Sequence, residues 1–154
     1  LLGRLRDDRG FQPLVTLAQS ETAPIDARRT AASALGSYCS TDANTILTEL
    51  IEAGLSRRRT EDQSRLAAES ARALAFYRTD AVTTLLLRAA ENGVPGLQLA
   101  AIEALGRGGH DEARATLETL SENPMTPIRA AAARALRDLE DGSNRLTCPA
   151  PNVD

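Results

Sequence analysis

Few residues in this chain could serve as nucleophile, general base or metal ligand: its 154 residues hold one histidine, His110, and two cysteines, Cys39 and Cys148. A zinc site needs several ligands at short spacing, which two distant cysteines and a lone histidine do not supply. His110 precedes Asp111 as Thr41 precedes Asp42 and Thr79 precedes Asp80, so it reads as a turn residue at a helix start. Gly106-Arg107-Gly108-Gly109 follows a helical pattern, whereas a phosphate-cradling loop follows a strand; it reads as a helix end and a turn. The 21 Asp and Glu residues recur at helix starts and surface positions, and no two stand apart as an acid and base pair. This inventory points to a chain with no catalytic residue, no metal and no cofactor.

The elements that would position any site form a repeat. Ala31-Ala32-Ser33-Ala34-Leu35-Gly36, Ser70-Ala71-Arg72-Ala73-Leu74-Ala75, Ala101-Ile102-Glu103-Ala104-Leu105-Gly106 and Ala132-Ala133-Arg134-Ala135-Leu136-Arg137 superpose, with their leucines 39, 31 and 31 residues apart. A unit of this length cannot bury its apolar face alone and must stack on its neighbours. Eight residues before each shared Leu stand Ala27, Leu66, Leu97 and Ile128, and four before it Ala31, Ser70, Ala101 and Ala132. Together they make one buried stripe at the helical period.

This spacing predicts a second helix in every unit, near 25–38, 63–77, 95–107 and 126–139, with Pro24, Pro95 and Pro127 at their starts and Gly36 and Gly106 at their ends. First helices are predicted at roughly 11–20, 42–53, 80–91 and 111–121. Asp42, Asp80 and Asp111 serve as caps, and Gly10 holds that place in the first unit. Leu14, Leu17, Ile46, Leu47, Leu50, Leu85, Leu86, Leu117 and Leu120 point inward.

On these motifs the chain resembles the HEAT-repeat family in its short bacterial, phycobilisome-lyase-like form, which reads Asp or Asn, then Val-Arg, then Ala-Ala-x-Ala-Leu-Gly. Asn123, Ile128-Arg129 and Ala132-Ala133-Arg134-Ala135-Leu136 match, as do Ala27-Arg28 and Ala31-Ala32-Ser33-Ala34-Leu35-Gly36. The resemblance covers residues 10–139 and implies an all-α, right-handed α-solenoid of about four antiparallel helical hairpins, with units at about 10–40, 41–78, 79–109 and 110–139. It also implies a ladder in which the turn residue and the Arg of neighbouring units interact, broken here because Ala67 and Gln98 replace the Arg.

Composition narrows the partners. Aromatics are 3%, Trp is absent and the net charge is −3, which argues against a nucleic-acid surface. No apolar stretch approaches the roughly 20 residues of a membrane span, so the expectation is a soluble chain without direct membrane insertion. All 18 basic residues are Arg, which reads as coding bias in a GC-rich genome, with a bacterial source as the expectation. Leu1-Leu2-Gly3-Arg4 resembles the end of another Ala-Leu-Gly helix, so residues 1–9 read as the remnant of a preceding repeat.

Two segments depart from the repeat. Unit two is longer, with the extra residues chiefly between its helices in Ala53–Asp62, where Arg57, Arg58 and Arg59 form either a solvated loop or an anion-seeking one. Residues 140–154 read as a flexible or surface-docked tail with Pro149 and Pro151. Nine extended residues at about 3.3 Å each could just span three repeat spacings of about 10 Å. Cys148 could therefore reach Cys39; the two are either paired, implying a periplasmic or extracellular protein, or unrelated thiols in a cytoplasmic one.

Opposite the buried stripe, the second helices present Asp26, Thr30, Ser33 and Ser37, then Arg65, Glu69, Arg72 and Phe76. The row continues with Gly96, Ala100, Glu103 and Arg107, and ends with Pro127, Ala131, Arg134 and Asp138. Stacked in order these make one concave surface, the usual contact face of solenoids. Arg beside an exposed aromatic is the mix enriched at protein interfaces. The expected role is a non-enzymatic scaffold presenting Arg65, Glu69, Arg72, Phe76, Glu103, Arg107, Arg134 and Asp138 to a polypeptide partner. Pairs such as Arg65–Glu69 and Glu103–Arg107 on a merely solvated face are the plainer alternative. The resemblance adds a bilin-lyase-like accessory subunit, and a structural spacer within a longer chain is the third reading.

Overall fold

The computed structural model describes residues 8–142 and Cys148. Eight α-helices follow in order among the described residues: α1 (Asp8–Gln19), α2 (Ile25–Gly36), α3 (Thr41–Leu55), α4 (Glu61–Ala73), α5 (Asp80–Asn92), α6 (Pro95–Arg107), α7 (Arg114–Leu120) and α8 (Thr126–Asp141), with a 3-10 turn at Asp111–Ala113 before α7. Each odd-numbered helix packs against the even-numbered one that follows it. The even-numbered helices also pack on one another in series, α2 on α4, α4 on α6 and α6 on α8.

Odd-numbered helices touch each other far less: α3 and α5 meet only lightly, while α2, α4, α6 and α8 form a continuous layer. Helices that approach closely on one side and splay on the other bend the stack, and the close-packed layer takes the inside. The fold is thus an α-solenoid whose second helices line its inner wall.

Small residues allow that close approach. A Cβ on Gly106 of α6 would lie 2.6 Å from Cα of Ala135 in α8, and one on Gly36 of α2 would lie 2.9 Å from both Cβ and the carbonyl oxygen of Ala73 in α4. These glycines stand at the helix–helix contact itself and do not turn the chain at the helix ends; α6 runs on to Arg107, and the left-handed turn falls at Gly109 with φ 70°. The repeated leucines lie behind this contact. Leu35, Leu74 and Leu105 are fully buried, and Leu136, in the last hairpin, is half-buried. Leu47, Leu85, Leu86, Leu117 and Leu120 are buried as expected, with Leu14, Leu17, Ile46 and Leu50 packed against them at partial exposure.

Local details differ from the sequence reading. Hydroxyls ahead of the acids do the capping: Ser40 Oγ, two residues before Asp42, accepts from the Ala43 amide at 3.1 Å, and Thr79 Oγ1, directly before Asp80, from the Val82 amide at 3.3 Å. Asp42 and Asp80 instead sit in the first turn, where a negative charge suits the helix dipole. Gly10 lies inside α1, which begins at Asp8 and so crosses the expected boundary between remnant and first unit; residues 1–7 lie outside the described part. α8 continues to Asp141 and ends on Gly142 at φ 49°, while the expected tail at 143–147 and 149–154 lies outside the described residues.

The long second unit takes up part of its extra length as helix, with a 15-residue α3, and its connection is only Ser56–Thr60. Thr60 then opens α4 with a capping box: its Oγ1 accepts from the Gln63 amide at 3.2 Å and Gln63 Oε1 accepts from the Thr60 amide at 2.8 Å. The lengthened end of α3 runs so near α4 that a Cβ on Gly54 would overlap that of Ala67. Only small residues fit this crossing, which is the physical reason that Ala67 stands where the repeat pattern has Arg.

Candidate interaction face

In place of the ladder expected between neighbouring units, three of the four hairpins carry a tie of their own, the exception being α3–α4 with Ala67. Arg28 is buried and its Nε donates to the carbonyl oxygen of Ala18, near the end of the partner helix α1, at 3.1 Å. Arg129 donates from Nη1 to the Asn123 carbonyl at 3.0 Å. Gln98, expected to break the series, makes the same tie: its Nε2 donates to the Ala90 carbonyl at 3.1 Å, at the end of α5. Satisfying carbonyls at a first helix's C-terminus needs a long donor, and a side-chain amide serves as well as a guanidinium.

Across the inner wall runs a different chain of charges. Arg29 of α2 contacts Asp26 at 3.5 Å and reaches Glu69 of α4 at 3.4 Å. Arg72 of α4 lies 3.9 Å from Glu69 and its Nε donates to Glu103 of α6 at 3.2 Å. Glu103 in turn accepts from Arg107 at 3.2 Å, and the Arg107 guanidinium stands 5.8 Å from the centroid of the Phe76 ring. Alternating signs therefore link three second helices into one row.

The expected site residues divide on this geometry. Glu69, Arg72, Glu103 and Arg107 come together in the row, with Phe76 at its end. The pairing Glu103–Arg107 forms as anticipated, but Arg65 pairs with Glu61 at 2.5 Å, leaving Glu69 to Arg29 and Arg72. Arg29, which the helical wheel does not place on this face, is the residue that carries the row from α2 to α4. Phe76 lies beyond the end of α4, in the turn Leu74–Phe76, and is half-buried against the core. Ala100 is buried between helices and takes no part in the surface.

Arg134 is exposed on α8 and Asp138, one turn later, is half-buried. The inner wall thus changes character along its length, self-neutralised from α2 to α6 and open at Arg134. The loop arginines stand apart on the α3–α4 connection: Arg57 and Arg58 are exposed, and Arg59 Nη1 donates to the Ser56 carbonyl at 3.0 Å.

His110 occupies a place that its sequence slot conceals. It is 1% exposed, its Nδ1 lies 2.8 Å from Thr83 Oγ1 of α5, and its Nε2 lies 2.8 Å from the Ala75 carbonyl beyond α4. With the carbonyl able only to accept, Nε2–H donates to Ala75 and Nδ1 accepts from the Thr83 hydroxyl. Burial, the largest influence, pushes the imidazole pKa below its usual value. The ring is a neutral pin between hairpins, held by the Thr83 hydroxyl and the Ala75 carbonyl. Among the described residues no group of three or more His, Cys, Asp or Glu is arranged to hold a metal ion. A shallow hollow between α5 and α7, lined by Glu91, Ala115, Thr116, Thr119 and Leu120, brings one carboxylate and two hydroxyls to an otherwise apolar surface.

Cys39 and Cys148 form a disulfide with Cα atoms 5.2 Å apart. The Cys148 amide also donates to the carbonyl of Phe76 at 2.9 Å, so the residue following the last hairpin by several positions is fastened to the first two. No described helix is long and apolar enough to cross a membrane.

These features define an α-solenoid of stacked hairpins with a polar inner wall. Residues 55–137, more than half of the chain, match the family model for HEAT repeats, and the chain belongs to the HEAT-repeat family. HEAT repeats commonly act as protein-interaction scaffolds and are generally not enzymes. A comparison with curated proteins gives no match.

Proposed function

We propose that this chain is a non-enzymatic interaction module that presents its inner wall to a polypeptide partner, with Phe76, Arg107 and Arg134 at the centre of contact. The observation that carries the reading is Arg107 held between Glu103 and the Phe76 ring. A guanidinium fixed on two sides loses little rotamer entropy when it binds, and it retains donors for a carboxylate or backbone carbonyl. Arg134, exposed on the next second helix, extends that donor surface beyond the self-paired row. Arg65, Glu69, Arg72, Glu103 and Asp138 shape the wall around it. The disulfide supports an oxidising compartment, periplasmic or extracellular.

The test is affinity capture from native extract with the wild type, an Arg107→Glu/Arg134→Glu variant and an Arg57→Ser/Arg58→Ser/Arg59→Ser variant. The reading requires a partner lost from the first variant and kept by the second. Loss only with the loop variant would move the contact to the α3–α4 connection, and identical capture by all three would remove both.

A further inference from the structure

The charge row of the inner wall follows a rule that breaks at one junction. Where α2 meets α4, Glu69 stands between Arg29 at 3.4 Å and Arg72 at 3.9 Å. Where α4 meets α6, Glu103 stands between Arg72 and Arg107, each at 3.2 Å. Where α6 meets α8, the arginine is present and the carboxylate is missing. Arg134 lies two residues before the shared Leu136, the place that Glu103 has before Leu105 and Arg72 has before Leu74. In register, it is the next member of the row.

The described residues leave that place open for three separate reasons. Both oxygens of Glu103 are already committed, Oε2 to Arg72 and Oε1 to Arg107. The position that Glu69 fills on α4, three residues before Arg72, is taken on α8 by Ala131. Asp138 follows Arg134 by one turn, but in the order of base then acid that brings helical side chains together poorly, and no bridge forms between them. Every arginine of α4 and α6 meets a carboxylate; among the described residues Arg134 meets none. Arg137 also lacks one, yet it holds the place of Gly36 and Gly106, which face the following unit and not the wall. Around Arg134 the surface is low: Pro127 and Ala130 are exposed and Ala131 is half-buried, so a partner's main chain can approach closely.

We propose that the α6–α8 end of the inner wall binds an acidic polypeptide segment, one of whose Asp or Glu carboxylates takes the open place beside Arg134 and completes the alternation of charge. This rests on the reading of the wall as a contact face and adds the chemistry of what it contacts. A guanidinium fork with no carboxylate of its own offers paired donors in the geometry a carboxylate accepts. A run of phosphates fits the place less well, because Glu103 and Asp138 flank Arg134 and the whole chain carries a net charge of −3. The segment expected is therefore one with isolated carboxylates among small or neutral residues.

The experiment follows the arginine Nε–H resonances of the chain, isotope-labelled at arginine, during titration at low salt. The probes are an acetylated, amidated peptide of alternating Glu and Gly, its Gln counterpart, and a thymidine oligonucleotide of the same charge. Arg134→Gln assigns the resonance, and Ala131→Glu supplies the missing carboxylate from within while keeping the arginine. The proposal predicts a saturable shift at Arg134 with the Glu peptide alone, little response at the exposed Arg57 and Arg58, and an affinity weakened roughly fivefold in Ala131→Glu, the size of one exposed ion pair. An equal shift with the Gln peptide, an equal response at Arg57 and Arg58, or an undiminished affinity in Ala131→Glu would overturn it. A stronger response to the oligonucleotide would overturn it in favour of a nucleic acid. The two levels fail separately: a polypeptide lost from the charge-reversed variant with no Glu-peptide shift sinks only the carboxylate, whereas a specific shift with no polypeptide captured by the wild type sinks the contact-face reading.

Discussion

Gly106 and Ala135 stand back to back at the α6–α8 junction, where a Cβ on the glycine would come 2.6 Å from Cα and 2.7 Å from Cβ of the alanine. Gly36 and Ala73 repeat the relationship between α2 and α4. The inner wall is continuous because these positions are small, and substituting them forces neighbouring helices apart. Gly106→Val should lose about 1–3 kcal/mol by overpacking, read as a lower urea midpoint. Gly96 has open space around its would-be Cβ, so Gly96→Ala should be neutral or gain up to about 1 kcal/mol from helix propensity.

His110 sets a pH dependence whose sign follows from its burial. Its pKa is lowered in the folded chain, so the unfolded chain takes up the proton first as pH falls. The stability it contributes is whole above the unfolded value of about 6.5 and is lost progressively as pH drops toward the folded value. Urea midpoints should therefore fall between pH 7.5 and pH 5.5. His110→Gln, which does not titrate, should flatten that part of the profile, and an unchanged slope would contradict the assignment.

The ties inside hairpins can be ranked by what their loss leaves behind. Arg28→Ala abandons the Ala18 carbonyl beside a buried position and should cost about 1–3 kcal/mol. Gln98→Ala should cost about 0.5–1.5 kcal/mol, since its contact with Ala90 is partly wet. Restoring the family residue at Ala67 should do harm, because Gly54 leaves no room for a longer side chain. Chemical denaturation of the three variants checks the order.

Glu103 accepts from both Arg72 and Arg107, yet all three side chains remain partly exposed, 37% for Arg72, 52% for Arg107 and 40% for Glu103. Such pairs are worth no more than about 1 kcal/mol each in water. Glu103→Gln should therefore change stability little while freeing Arg107 from one of its two supports. The measurable outcome is a smaller dependence of stability on sodium chloride than in the wild type.

The repeat was legible in sequence because burial at a helix–helix contact restricts residue size at a fixed period, and Ala34, Ala73, Ala104 and Ala135 carry that restriction in every unit. The inner-wall assignment of Glu69, Arg72, Glu103 and Arg107 follows from the same periodicity. What was not legible depends on where chains cross. The slot of His110 looks like those of Thr41 and Thr79, but the turn there folds inward and places a ring between α5 and the end of α4. Gln98 looked like a gap in a ladder of arginines because the sequence does not tell that the acceptor is a carbonyl rather than a carboxylate. Arg29 escaped the helical wheel because its long side chain reaches sideways to α4. One signal was available: Gly54 and Ala67 are small at positions where unit two could have carried more bulk, and together they mark the close crossing of α3 and α4.

The central claim, that the second helices form the contact wall, is tested most directly by photocrosslinking in native extract. A benzophenone residue is placed at Arg134 on the inner wall or at exposed Thr84 on α5, on the outer side. The account predicts a discrete polypeptide adduct from position 134 and none from position 84. An adduct from position 84 alone would contradict it.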